Sequence, residues 1–149
     1  MTQAYTNRFT EVHELFGADA DAYAIGVYAP LVYRSMANHQ RGVLLMHVGD
    51  MEQGATVDLA LMQATDAAGA GAKAIAGKAI TQLTQAGGDA GSTVVIEVRT
   101  EEMDVDGGFA FLGATLTVAG GACDIGIFAL AGCSNYSPVS VTAWDEIVD

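Results

Sequence analysis

A chain of 149 residues is one domain's worth of polypeptide, long enough to bury a core without a metal or disulfide framework. Hydrophobic residues make up 51% and charged ones 16%, with no apolar run near the length of a spanning helix; this predicts no membrane helix and a fold whose surface is largely covered by partners. The net charge of −12, with the six basic residues spread singly against 18 acidic ones, argues against nucleic-acid binding.

The N-terminal MTQAYTNRF has no basic region leading into an apolar core, so no secretory signal is expected and the chain reads as one made inside a cell. FTEVHELFG then spaces Phe9, Val12 and Leu15 or Phe16 at helical intervals and stops on Gly17, which predicts a short helix. Residues 18–40 carry Tyr23, Tyr28 and Tyr33, with Pro30 confining the segment to a sheet edge or an extended arm. Residues 1–40 are therefore expected to form an N-terminal arm with a short helix.

From Arg41 the pattern changes to period two. GVLLMHVGDM reads as a first strand, and ATVDLALMQAT places Val57, Leu59 and Leu61 on one face with Thr56, Asp58 and Ala60 on the other. KAITQLTQ reads as a short strand. In TVVIEVRT, Val94, Ile96 and Val98 turn inward while Glu97 and Arg99 face out. FAFLGATLTVAGG puts Leu112, Ala114, Leu116 and Val118 on one side, and CDIGIFALAG does the same with Ile125, Ile127 and Ala129. Some six strands punctuated by glycine predict an all-β fold, an antiparallel β-sandwich of jelly-roll type, over residues 41–133. The alanine-rich stretch near residue 70 contains too many glycines for a long helix. Residues 134–149 lack periodicity and form a C-terminal tail with the only tryptophan, Trp144.

Candidate chemistry is sparse. The stretch AGAGAKAIAGKAI, Ala68 to Ile80, resembles a phosphate loop. For the final G-K at Gly77 and Lys78, however, the first glycine would fall on Ala72 and the magnesium-binding hydroxyl on Ala79. EEMDVDGG, Glu101 to Gly108, offers carboxylates for calcium but breaks the EF-hand spacing, and it reads as a strand-ending turn with Asp106, Gly107 and Gly108 at positive φ. His13, His39 and His47 lie far apart without a metal motif. AGCSNYS has no nucleophile-elbow spacing. Cys123 and Cys133, ten apart, fit neither a redox nor a zinc motif and read as buried thiols. No catalytic, cofactor or metal residues are assigned, and no enzyme activity.

The run LMQATDAAGAGAKAIAGK, followed by VIEVRTEEMDVDGGF and a threonine- and valine-rich strand, resembles a family of small head-associated auxiliary proteins of tailed bacteriophages. The likeness covers about Val43 to Leu130, and QATDAAG and EEMDVDGGF are its most specific parts. It implies a virion structural protein, foremost a capsid decoration or cement protein. Such a protein would bind the major capsid protein on the outside of the head and itself as a trimer or other cyclic oligomer, after assembly in the host cytoplasm. A neck or tail protein of tube or terminator type is the alternative, and a lectin-like module using the Gly- and Asp-rich loops is a third. Interface candidates are the aromatics Phe16, Tyr23, Tyr28, Tyr33 and Trp144, because aromatic side chains dominate interface hot spots, and the cations Lys73 and Lys78, expected to meet carboxylates of a neighbouring subunit.

Overall fold

A computed structural model describes residues 13–134, which form two antiparallel sheets and no α-helix. The strands are β1 His13–Tyr23, β2 Gly26–Ser35, β3 His39–Met51, β4 Thr56–Ala64, β5 Lys73–Ala79, β6 Leu83–Thr84, β7 Thr93–Arg99, β8 Phe111–Ala119 and β9 Cys123–Ser134. Sheet A has the order β1-β9-β3-β7. Sheet B has the order β2-β8-β4-β5, with β6 added beside β4. The expected sandwich is therefore present, with more strands than the alternation alone revealed.

The inward parity was read correctly along the central strands. Val57, Leu59 and Leu61 of β4, Ile96 and Val98 of β7, Leu112 to Val118 at alternate positions of β8, and Ile125, Ile127 and Ala129 of β9 are buried between the sheets, with Val94 partly so; on β3, where no inward set was assigned, Leu44, Met46 and Val48 join them. Met103 of EEMDVDGG joins the same core. Burial of this apolar set, at roughly 25 cal/mol per Å² of surface removed from water, is what drives the two sheets together.

The N-terminal region requires a correction. The helix expected over 9–17 lies partly outside the described residues, and where it is described, from His13, the chain is β1, hydrogen-bonded along β9 from His13↔Ala131 to Tyr23↔Cys123. The expected arm is likewise built into the sandwich, because β2 pairs with β8 from Gly26↔Val118 to Ser35↔Phe111. The physical reason is that β8 and β9 are apolar on their inner faces and would otherwise be sheet edges with unpaired backbone groups. Strand addition satisfies those groups, and this outweighs a weak helical spacing. Pro30 does fall on an edge strand, β2, where its missing N–H costs no ladder bond.

The connections define two ends. At the upper end lie the β2–β3 turn, the β4–β5 loop and the long β7–β8 connection. At the lower end lie the β1–β2, β3–β4, β6–β7 and β8–β9 turns. The lower end closes tightly where Gly120, at φ +74°, faces Gly54: a Cβ built on Gly120 would sit 2.0 Å from the Gly54 carbonyl oxygen, a distance no side chain tolerates. Because β1 begins and β9 finishes at the upper end, with Ser134 opposite His39, the segments 1–12 and 135–149 attach to the sandwich at the same corner.

Candidate interaction surfaces

The stretch AGAGAKAIAGKAI occupies the β4–β5 loop and β5. Asp66 Oδ1 accepts hydrogen bonds from the N–H groups of Ala68 and Ala70, both at 2.9 Å, and Thr65 N–H donates to the Ala70 carbonyl at 3.0 Å. Residues 73–79, which the phosphate-loop spacing would need as a wrapping loop, are instead the strand β5. Gly69 and Gly71 take the positive φ values that let the loop turn.

EEMDVDGGF packs against this loop. Lys73 Nζ lies 2.5 Å from Asp104 Oδ2 and 4.0 Å from the centre of the Phe109 ring, an ion pair and a cation–π contact on one ammonium. Asp104 N–H donates to the buried Gln63 Oε1 at 2.8 Å, and Asp104 Oδ1 accepts from Gly107 N–H at 3.0 Å. Lys73 first, then the Gly107 N–H, hold the Asp104 carboxyl below the usual carboxylate range. Of the three residues expected to supply left-handed backbone here, only Gly108 does, at φ +84°.

Lys78 is anchored in the same way. Its Nζ lies 2.9 Å from Glu102 Oε2 and donates to the Glu97 carbonyl at 2.8 Å. Glu102 also accepts from the Arg99 N–H at 2.8 Å, and that bond first, then Lys78, lowers its pKa. Arg99 reaches Glu101 at 2.7 Å, and Arg41 pairs with Glu97. The fold therefore gathers cations that are scattered in sequence. Arg41, Lys73, Lys78 and Arg99 each lie beside a carboxylate of the same chain, and Arg41, Lys78 and Arg99 line open grooves of about 290 and 200 Å³. Lys73 and Lys78, expected to meet carboxylates of a neighbouring subunit, each already hold a carboxylate of their own chain.

The aromatic candidates separate into three groups. Tyr33 is only 3% exposed, its ring held between Gly69 and Gly113, so it is a core residue rather than an anchor for a partner, and burial pushes its phenol pKa up. Tyr23 and Tyr28 meet edge to face, centres 4.9 Å apart, at the lower corner where β1 passes to β2, and the Tyr28 hydroxyl donates to the Ala24 carbonyl at 2.8 Å. Phe16 has its backbone on β1, its side chain outside what is described, and Trp144 lies outside the described residues altogether. Beside the tyrosine pair, Ile25 and Val27 are 64% and 66% exposed.

His47 is exposed with Nδ1 2.9 Å from Thr93 Oγ1, a cross-strand contact rather than a ligand position. Among the described residues no three His, Cys, Asp or Glu side chains converge on a common cation position. Cys123 is a buried thiol, its pKa raised by burial first and then by Asp124 and Glu52. Cys133 lies on the same strand ten residues on, about 33 Å away at extended spacing, which rules out a bond between the two within one chain. No helix among the described residues is long and apolar enough to cross a membrane.

The sequence reading passed over the outer face of sheet A. Val43 and Leu45 on β3, Val95 on β7, and Phe128 and Leu130 on β9 all project from it, while sheet B shows Thr56, Asp58 and Ala60 from β4 with Thr115 and Thr117 from β8. The available signal was the unbroken apolar run in GVLLM and FAL, where a strand with one wet face would alternate. No family model matches this chain, and no curated protein is detectably similar to it.

Proposed function

We propose that the chain is a virion structural protein of a tailed phage, a capsid decoration protein that binds the major capsid protein on the head exterior and stabilises the assembled shell. The observation that carries the reading is that the two pieces most specific to the resemblance form one structural unit. QATDAAG and EEMDVDGGF are joined by the Gln63–Asp104 hydrogen bond and packed around Lys73, so the residues that carry the resemblance are neighbours in space.

Two further features support it. With the two-residue β6 set aside, the first strand lies beside the last and the second beside the penultimate, an order that suits the proposed jelly roll, a fold used by capsid proteins. The segments 1–12 and 135–149, the latter with Trp144, leave from one corner and would serve as the extensions that reach a lattice. The mechanism is mass action: a protein that binds only the assembled shell adds its binding free energy to that state alone. The net charge of −12 suits an exterior position away from packaged DNA.

Co-sedimentation with purified heads tests the reading. Full-length protein is expected to bind, and chains lacking 1–12 or 135–149 are expected to keep their thermal midpoint and lose binding. Unaltered binding by both truncated chains refutes the role of the extensions. Absence of full-length protein from heads, with copies confined to a tail or neck ring by immunogold labelling, refutes the decoration reading in favour of the tail or neck alternative.

A further inference from the structure

We propose that two copies of the chain pair through β7, whose free edge joins that of a second copy about a two-fold axis at Val95 to continue sheet A across the dimer. This supplies the self-association that the virion reading calls for, yet it stands on the geometry of sheet A alone.

The four sheet edges differ. β1 carries register shifts near Glu14 and Ala18, β2 carries shifts around Leu31 together with Pro30, and β5 carries a shift opposite Leu61 and a left-handed Gly77. Such irregularities are how natural edges resist pairing. β7 has none: its register with β3 is unbroken from Arg41↔Arg99 to His47↔Thr93.

The direction of its backbone groups follows from the same register. Val48 N–H donates to the Ser92 carbonyl, so the even-numbered residues of this strand face β3 and the odd-numbered ones face outward. Two outward groups are already occupied at the upper end, where Arg99 N–H donates to Glu102 and the Glu97 carbonyl accepts from Lys78. That leaves the outward backbone groups of Thr93 and Val95 and the N–H of Glu97. Val95 stands at the centre of this stretch, 58% exposed.

Side-chain chemistry selects the occupant and the register. An antiparallel copy centred on Val95 sets valine against valine and Thr93 against Glu97, a contact with no like charges. A copy centred on Glu97 would oppose two carboxylates directly, a repulsion that destabilises strand pairs. The Val95 register also makes the apolar row Phe128–Leu45–Val95, one residue from each adjacent strand of sheet A, continuous with the same row of the second copy. In the Val95 register the Cα atoms of the two Val95 residues would lie about 5.5 Å apart, within disulfide reach.

The test uses the full chain with Cys133→Ser as background. Val95→Cys is expected to form a reducible dimer on mild oxidation, while Val27→Cys, at least as exposed, is expected to stay monomeric. By sedimentation the wild-type chain is expected to dimerise, and Val95→Lys to weaken dimerisation at least tenfold with an unchanged thermal midpoint. A wild-type chain that stays monomeric, or Val95→Cys cross-linking no faster than Val27→Cys, overturns the proposal. Head binding is scored separately: a monomer that binds heads overturns the pairing and leaves the virion reading standing, whereas a Val95-dependent dimer that ignores heads supports the pairing and counts against that reading.

Discussion

The slot that holds Tyr33 makes a quantitative demand on the fold. A Cβ built on Gly113 would lie 2.7 Å from Tyr33 Cδ1 and Cε1, and one on Gly69 would lie 2.7 Å from Cε2, so the ring is clamped by two positions without side chains. Gly113→Ala in the wild-type chain should therefore act as overpacking and cost about 1–3 kcal/mol. Tyr33→Ala empties the slot, and loss of a buried aromatic costs about 3–5 kcal/mol, a large share of the roughly 5–15 kcal/mol that holds a domain together. In the Tyr33→Ala background the new methyl of Gly113→Ala points into free space, and alanine is favoured over glycine in a strand by roughly 0.5–1 kcal/mol. The second substitution should then be neutral or stabilising, giving a coupling of about 1 kcal/mol or more between the two sites. Urea midpoints at constant m-value measure the cycle. Should the alanine variant fall too near unfolding, Tyr33→Leu serves in its place. Costs that add to within about 0.5 kcal/mol would refute the steric account.

Deletion of residues 1–35 is expected to abolish the cooperative thermal transition followed by circular dichroism, because it removes β1, β2 and Tyr33 and leaves β8 and β9 as bare edges; a truncated chain that still melts cooperatively contradicts the strand assignment. Glu102 and Asp104 have lowered pKa values in the folded state, so their contribution to stability is complete above the ordinary carboxylate range near pH 4 and is lost as pH falls through their folded-state values. Stability measured from pH 6 to pH 2 should accordingly show a smaller acid-side loss in the Glu102→Gln, Asp104→Asn double variant than in wild type, and equal losses would be evidence against these pairs. Asp66→Ala removes the acceptor of two loop N–H groups and is expected to cost about 1–3 kcal/mol in urea unfolding while leaving β4 intact, as faster amide exchange confined to residues 65–72 would show.

What the sequence disclosed follows from how local each signal is. The central strands were legible because each alternates apolar and polar residues around one buried face, so Val57 to Leu61, Leu112 to Val118 and Ile125 to Ala129 could be assigned without knowing their neighbours. β1 and β2 were not, because their strand character comes from pairing with β9 and β8, more than 75 residues away in sequence at each register position. Tyr33 shows the same limit at a single residue. A tyrosine in an apparent arm resembles an interface anchor until the fold brings Gly69 and Gly113 to either side of it. The ion pairs were equally out of reach, since Lys73 with Asp104 and Lys78 with Glu102 span separate loops. Exposed pairs of this kind contribute only about 0–1 kcal/mol each, so they fix the geometry of the upper end more than they stabilise the domain.

That geometry changes where recognition should be sought. A chain with so few cations could hold them out to a partner, yet Arg41, Lys73, Lys78 and Arg99 all pair with their own carboxylates. The lower end carries Asp50, Glu52, Asp89 and Asp124 with no described basic residue among them. A partner reached by charge would therefore meet the lower end with basic groups of its own. Sheet A offers a different kind of contact. Because β3 and β9 carry apolar residues on both faces, one side of each is taken up by the core, while Val43, Leu45 and Leu130 lie on the other. An edge such as β7, regular, unbulged and centred on an exposed valine, lies beside that second face. Sheet B, whose outer face carries threonine and aspartate, has no comparable need of cover, so a self-association surface on this molecule belongs to sheet A.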